Sequence, residues 1–286
     1  MPIRGIAFEG NGIKSLAHLG VCEVLDEHNL LDYLTHFSGS STGAIMATAL
    51  AFKIKLEKLK EQVLKITPSN IEDDTYFITK LYNLHSKYGL NKGENLHKWI
   101  KDLFLPFIPN FLTITFDELL KSHNSFLIIT ATDYHNLTPF YFSPDNTPHA
   151  KIFDALKATM SIHLYFTPLL LNNKLLIDGS LIDSYPVEIL YKYLDKHDII
   201  GITFNKENEH NLENKNLFNY INGLINLLHH QIVNKNLSKK ILKHTIIIHT
   251  EKIDSYDIYI SDKQKKSLYN SGRIATEKFL KDFLLS

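Results

Sequence analysis

Ser41 stands at the centre of Gly39-Ser40-Ser41-Thr42-Gly43, a G-x-S-x-G pattern between one apolar run that reads as a strand and another that reads as a helix. A chain that turns sharply from strand to helix needs small residues on both sides of the serine. The turn then holds the Ser41 hydroxyl away from the backbone, at the positive end of the following helix. That setting suits nucleophilic attack. Two further groups share it. Gly10-Asn11-Gly12-Ile13-Lys14-Ser15 is a glycine turn after the first apolar run, and Asp178-Gly179-Ser180 closes a later one. All three read as junctions of a parallel-sheet strand with a loop, and open α/β sheets bind ligands outside the carboxyl ends of their strands. Each also has a plainer reading. The glycine turn approaches a nucleotide-binding G-x-G-x-x-G, although Ser15 stands at the third glycine, or it is only a turn. Asp-Gly is a common turn pair in any protein.

The elements around these groups follow from apolar periodicity. Residues 3–8 read as a buried strand, 14–29 as a helix, 34–38 as a second strand, and 44–52 as the small-residue helix after the serine. A charged helix follows at 55–66, so the chain opens β-α-β-α, the order of a parallel sheet between helical layers. Residues 67–91 read as irregular, and a helix covers 93–105. Strands are expected at 125–132, 139–142, 174–178, 199–204 and 245–249, with helices at 150–160, 186–194 and 216–240. Residues 205–216, polar and rich in asparagine, read as a loop. A last helix spans 261–283, opened by the capping box Ser261-x-x-Gln264. No repeat or composition break marks a linker, so 1–286 reads as one domain.

Lys plus Arg and Asp plus Glu number 31 each, so no overall field draws the chain to nucleic acid. The single cysteine, Cys22, excludes an internal disulfide and reads as a buried small hydrophobe. The first apolar run is too short for a signal peptide, and no segment reaches the roughly 18 apolar residues of a membrane span.

Taken in order, these motifs resemble the patatin-like phospholipase family. That family has a G-G-G-x-[RK]-G turn after its first strand, a G-x-S-x-G elbow after its second, and a later D-G-[GAS] aspartate. Leu16-Ala17-His18-Leu19-Gly20-Val21, Tyr88-Gly89-Leu90-Asn91-Lys92-Gly93, Ala158-Thr159-Met160-Ser161-Ile162 and Asp178-Gly179-Ser180 through Val187 resemble further family segments. The similarity spans about residues 3 to 205. It departs at Asn11 and Ser15, which stand where the family has glycines, and at His163, where it usually has proline.

The resemblance implies a three-layer α/β/α fold with a mostly parallel central sheet. It implies a Ser41–Asp178 dyad without histidine, cofactor or metal, acting on acyl esters of phospholipids or lysophospholipids. Asp178 would take the serine proton, and the amides of Gly10, Asn11 and Gly12 would stabilise the oxyanion. Residues 67–116 would cap the acyl cleft. The expected setting is cytoplasmic with peripheral membrane contact; export as an effector and a protein activator stay open. Other readings remain beside this one. They are a Ser41–His249 triad, a lipid-binding scaffold without activity, and an acyltransferase using the same dyad. Lys14 is read as meeting a lipid phosphate or as structural or solvated, and His163 as bordering the site. The aromatic stretch 104–112 is read as core, lid or membrane-inserting.

Overall fold

The computed structural model describes residues 3–73, 75–205, 220, 223, 243–250 and 253–284. Strand register explains why three groups far apart in sequence meet. β1 (Gly5–Phe8) lies parallel between β2 (His36–Ser40) and β9 (Ile199–Phe204), pairing Phe8 with Gly39 and Ile202. β2 pairs in turn with β4 (Phe126–Asp133), setting Ser40 beside Thr130. β10 (Thr245–Ile248) extends the parallel part beyond β9. The glycine turn and the serine elbow therefore leave adjacent strands at the same level.

Beyond β4 the sheet changes sense. β5 (Thr138–Phe142) and β8 (Lys174–Asp178) both run antiparallel to β4, and β7 (Leu169–Leu171) runs antiparallel to β8. Asp178 is thus not at the end of a parallel strand, as expected from the sequence. β8 pairs only with the last three residues of β4 and is aimed back into the sheet, which brings Asp178 opposite Ala131, one residue from the pair made by Thr130 and Ser40. The short β3 (Gly89–Asn91) and β6 (Leu164–Phe166) form a separate parallel pair.

Alternation along the strands divides the core between two faces. Ile6, Phe8, Phe37, Leu127 and Ile129 face the larger core with α1 (Ala17–Glu27), α2 (Thr42–Ala51), α3 (Leu56–Val63), α5 (Glu94–Phe104), α7 (Ile152–Thr159) and α8 (Asp262–Leu284). Ala7, Phe126, Ile128 and Ile199 face Tyr185, Val187, Ile189, Leu190 and Leu194 on the other side. The sheet is central, mostly parallel and flanked by helices, as anticipated.

Five segments differ from the sequence reading. The stretch read as irregular contains α4 (Phe77–Lys87) followed by β3. α6 (Phe116–His123) is an unanticipated helix, although Thr115 and Glu118 form a reciprocal capping box before it. Residues 186–194 hold only a 3-10 turn at Glu188–Lys192, whose tight bonds lay Ile189 and Leu190 on the sheet. β6 and β7, three residues each, are too short to show a period. The loop expected at 205–216 and the helix expected at 216–240 lie almost wholly outside the described residues.

Candidate active site

The elbow is built by close approach. Ser41 adopts φ 49° and ψ −128°, a strained conformation for a residue with a side chain. A Cβ on Gly39 would lie 2.6 Å from Gly43 O, and one on Gly43 would lie 2.5 Å from Phe8 O. Only glycine fits at either place, so β1, β2 and α2 converge there. Two threonines hold the strained residue: Ser41 N–H donates to Thr159 Oγ1 (2.7 Å), and Thr159 Oγ1 donates to Thr130 O (2.5 Å). Sequence reasoning singles out neither threonine, although Thr159 lies in one of the quoted motifs.

Ser41 Oγ donates to Asp178 Oδ2 at 2.7 Å across 137 positions of sequence. The other carboxylate oxygen, Oδ1, accepts Ser180 N–H at 2.7 Å. Asp178 O accepts Thr132 Oγ1 at 2.9 Å, and Asp178 N–H donates to Ser161 O at 3.0 Å. Both side chains are buried. Burial pushes the Asp178 carboxyl up from 3.8 to about 6, against the pull of hydrogen bonds from Ser41 and Ser180. It can therefore hold or release a proton near neutral pH.

The glycine turn packs on Ser41, since a Cβ on Gly10 would lie 2.7 Å from Ser41 Cβ. Its amides are not equivalent. Gly10 N–H donates to Ser184 O (2.9 Å), and Asn11 N–H donates to Ser15 Oγ (3.2 Å), which in turn bonds Thr42 Oγ1 (2.7 Å). Gly12, at φ 49°, opens a 3-10 turn, and its N–H makes no hydrogen bond among the described residues. Ser255 clasps the turn from the far end of the chain. Its carbonyl accepts Ile13 N–H, and its hydroxyl donates to Asn11 Oδ1.

Beside this cluster lies an apolar cavity that opens to solvent. Thr42, Ile45 and Met46 line it from α2, Leu16 and Leu19 from the turn and α1, and Leu96 and Trp99 from α5. Ser41 does not line it; its neighbour Thr42 and the turn residues Gly12 and Ser15 do. Of the stretch expected to cap an acyl cleft, Ile71, Leu96 and Trp99 reach the wall.

Other candidate residues go elsewhere. His249 Nδ1 bonds Asn205 Nδ2 at the ends of β10 and β9. His18 is buried between Phe8 and Phe204, and burial lowers it to about 3, which keeps it neutral. Lys14 is buried, not solvated. His163 is half-buried on the turn after α7. Phe104 and Phe111 stack with ring centres 4.5 Å apart in the core, which leaves the membrane-inserting reading of 104–112 without exposed aromatics. Cys22 is buried, and burial raises its thiol pKa. Among the described residues no three His, Cys, Asp or Glu side chains are grouped as a metal site would need.

A family model described as patatin-like phospholipase matches residues 6–191, and the chain belongs to that family. It is similar to uncharacterized protein R571 of Acanthamoeba polyphaga mimivirus, 27% identical over 94% of this chain and 91% of that one. It is also similar to 463L of Invertebrate iridescent virus 6, named a probable lipid hydrolase, at 26% identity over 68% of this chain and 65% of that one. Among solved structures, VipD from Legionella pneumophila matches with a TM-score of 0.68 and 15% identity, covering 99% of this chain and 67% of that one. At that identity the likeness shows the fold alone. Family membership supports lipid hydrolysis as the general activity.

Proposed function

We propose that this protein hydrolyses acyl esters of phospholipids or lysophospholipids through Ser41 and Asp178. The observation that carries this reading is the 2.7 Å hydrogen bond from Ser41 Oγ to Asp178 Oδ2, made by a buried serine in a strained elbow. Ser41 Oγ attacks the ester carbonyl carbon and passes its proton to Asp178. The carbonyl oxygen takes the negative charge, and collapse of the tetrahedral adduct expels the alcohol with that proton. Water then attacks the acyl-serine, again losing a proton to Asp178, and the fatty acid leaves as Ser41 is restored.

Of the three turn amides, Gly10 N–H is engaged by Ser184 O. The oxyanion role falls to Gly12 N–H, joined by Asn11 N–H where the 3.2 Å contact to Ser15 yields to a charged acceptor. The apolar cavity next to Thr42 suits an acyl chain, and residues 67–116 serve as part of its cap.

A panel of phospholipids and lysophospholipids, read by released fatty acid, tests the proposal. Ser41→Ala should lose at least about a thousandfold in rate, and a fluorophosphonate should label Ser41. Full hydrolysis by Ser41→Ala would overturn the dyad. The engaged amides of Gly10 and Asn11 favour a second reading, a lipid-binding scaffold without turnover. Folded protein that binds lipid and takes no label would establish that one. Product analysis with an added alcohol or lysolipid acceptor separates transfer from hydrolysis.

A further inference from the structure

Ser255 lies outside residues 6–191, the part of the chain that the family model matches, yet it bonds the glycine turn at two points. Its hydroxyl donates to Asn11 Oδ1, on the side chain that stands where the family has glycine. Its carbonyl accepts Ile13 N–H at 2.9 Å. The approach is so close that a Cβ on Gly12 would collide with Ser255 O.

Between those two points sits Gly12, whose N–H is the amide proposed for the oxyanion. Glycine is the least restrained of residues, and at φ 49° Gly12 has no side chain to limit its direction. The bonds on either side of it do so instead. The peptide plane before Gly12 is held at Asn11 O, which accepts Lys14 N–H at 3.1 Å. The plane after it is held at Ile13 N–H, on Ser255 O. A trans peptide is planar, so a bond at its carbonyl also sets where its N–H points. One of these two restraints, and the bond that steadies the Asn11 side chain, come from Ser255.

We infer that Ser255 is a positioning residue for the oxyanion site, acting through Asn11 and Ile13 to hold the Gly12 amide in its working direction. This role deepens the proposed acyl hydrolysis and rests on it. Ser255 is itself braced. Ile253 and Ile260 are buried at the two ends of its segment. Between them Tyr256 N–H donates to Asp254 Oδ1 (2.9 Å), Tyr259 N–H donates to Asp257 Oδ1 (3.0 Å), and the Tyr259 hydroxyl donates to Glu72 Oε2 (3.2 Å). A clasp held this way restrains the turn instead of following it, which is what a preorganised donor requires. The same segment gives Ser255, Tyr256 and Ile258 to the cavity wall, so the clasp ties the turn to the space proposed for the acyl chain.

The parent is compared with Ser255→Ala, Ser255→Thr, Asn11→Gly and the double variant Asn11→Gly/Ser255→Ala, with folding checked by melting temperature. On the ester that the parent hydrolyses fastest, Ser255→Ala should lower kcat by roughly tenfold while KM stays within about twofold. Ser255→Thr keeps the hydroxyl and should recover most of the rate. Asn11→Gly removes the acceptor and should lose a similar factor, and the double variant should lose no more than either single one. If Ser255→Ala melts early, Asn11→Gly decides alone. Amide exchange, read by NMR without lipid, should speed at Ile13 and Lys14 in Ser255→Ala and hold in the sheet. A full rate in Ser255→Ala or Asn11→Gly, equal loss in Ser255→Ala and Ser255→Thr, or losses that multiply in the double variant overturns the inference. So does unchanged exchange at Ile13 and Lys14. A parent that neither hydrolyses esters nor takes the fluorophosphonate fails the catalytic reading instead, and the exchange comparison then decides whether Ser255 holds the turn.

Discussion

Asp178 carries opposite demands in one carboxyl group. The proposed hydrolysis needs it ionised beside Ser41, while burial favours its neutral form and sets it at about 6. The hydrolysis rate should rise with pH through a single ionisation near 6. Asp183, half-buried on the following loop and also pushed up to about 6, bonds Tyr141 instead of Ser41, so Asp183→Asn should leave that limb in place. Stability runs the other way. Since the folded value lies above the ordinary 3.8, Asp178 contributes stability that is fully present below about pH 3.8 and is lost as pH rises through about 6. Asp178→Asn should therefore be inactive yet more stable than the parent at pH 8, by up to about 3 kcal/mol. Denaturant curves at pH 8 and pH 4 check this; a gap of equal size at both would sink it. Thr159 is a positioning residue at the same scale. Thr159→Val leaves Ser41 N–H unpaired and should lower kcat by roughly tenfold or more while KM holds. Thr159→Ser, which restores the acceptor, should recover most of it; equal loss in both variants would make the effect one of packing.

At the scale of elements, the helices that close the ends of the chain meet backbone to backbone. A Cβ on Gly272 of α8 would collide with Ala17 O, and one on Gly20 of α1 would collide with Tyr269 O. Arg273 holds the same contact by bonding Glu23 and both carboxylate oxygens of Glu27. Gly272→Ala must push α8 off α1, at a cost of roughly 1–3 kcal/mol. It should lower the melting temperature, whereas Ile274→Ala, at an exposed position of α8, should not. Equal melting temperatures would mean that the two helices separate freely. This interface was not legible in the sequence, since a glycine inside a helix reads as a weakness until its partner backbone is known. α4 escaped the reading for a related reason. A helical period is recognised as a stripe that faces a core, and here the exposed Phe77, Ile78 and Leu81 face away from it. By contrast, the elbow, the glycine turn and the aspartate loop were legible because each depends on small residues at fixed local spacing.

At the scale of the molecule, local motifs locate Ser41 and Asp178 but not the cavity beside them. The cavity draws on α1, α2, α3, α5, the β6 region and residues 255–258, which lie more than 200 positions from the glycine turn they cover. No motif records such an assembly, because each lining residue on its own looks like ordinary core. On the proposed function, the cavity sets a measurable property, the length of chain accepted. Met46 lines that space from α2, one turn beyond Thr42. Met46→Trp fills that space without displacing Ser41 or Asp178. Each methylene denied burial forfeits about 0.8 kcal/mol, so exclusion of two or three should cut kcat/KM for long-chain esters by roughly ten- to fiftyfold. Esters of two to four carbons do not reach so deep and should keep their rates within about twofold. A series of esters of increasing chain length, measured on parent and variant at matched melting temperature, decides the matter. Parallel profiles across the series would show that the acyl chain lies elsewhere, and a uniform fall at all lengths would show that the tryptophan had disturbed the elbow.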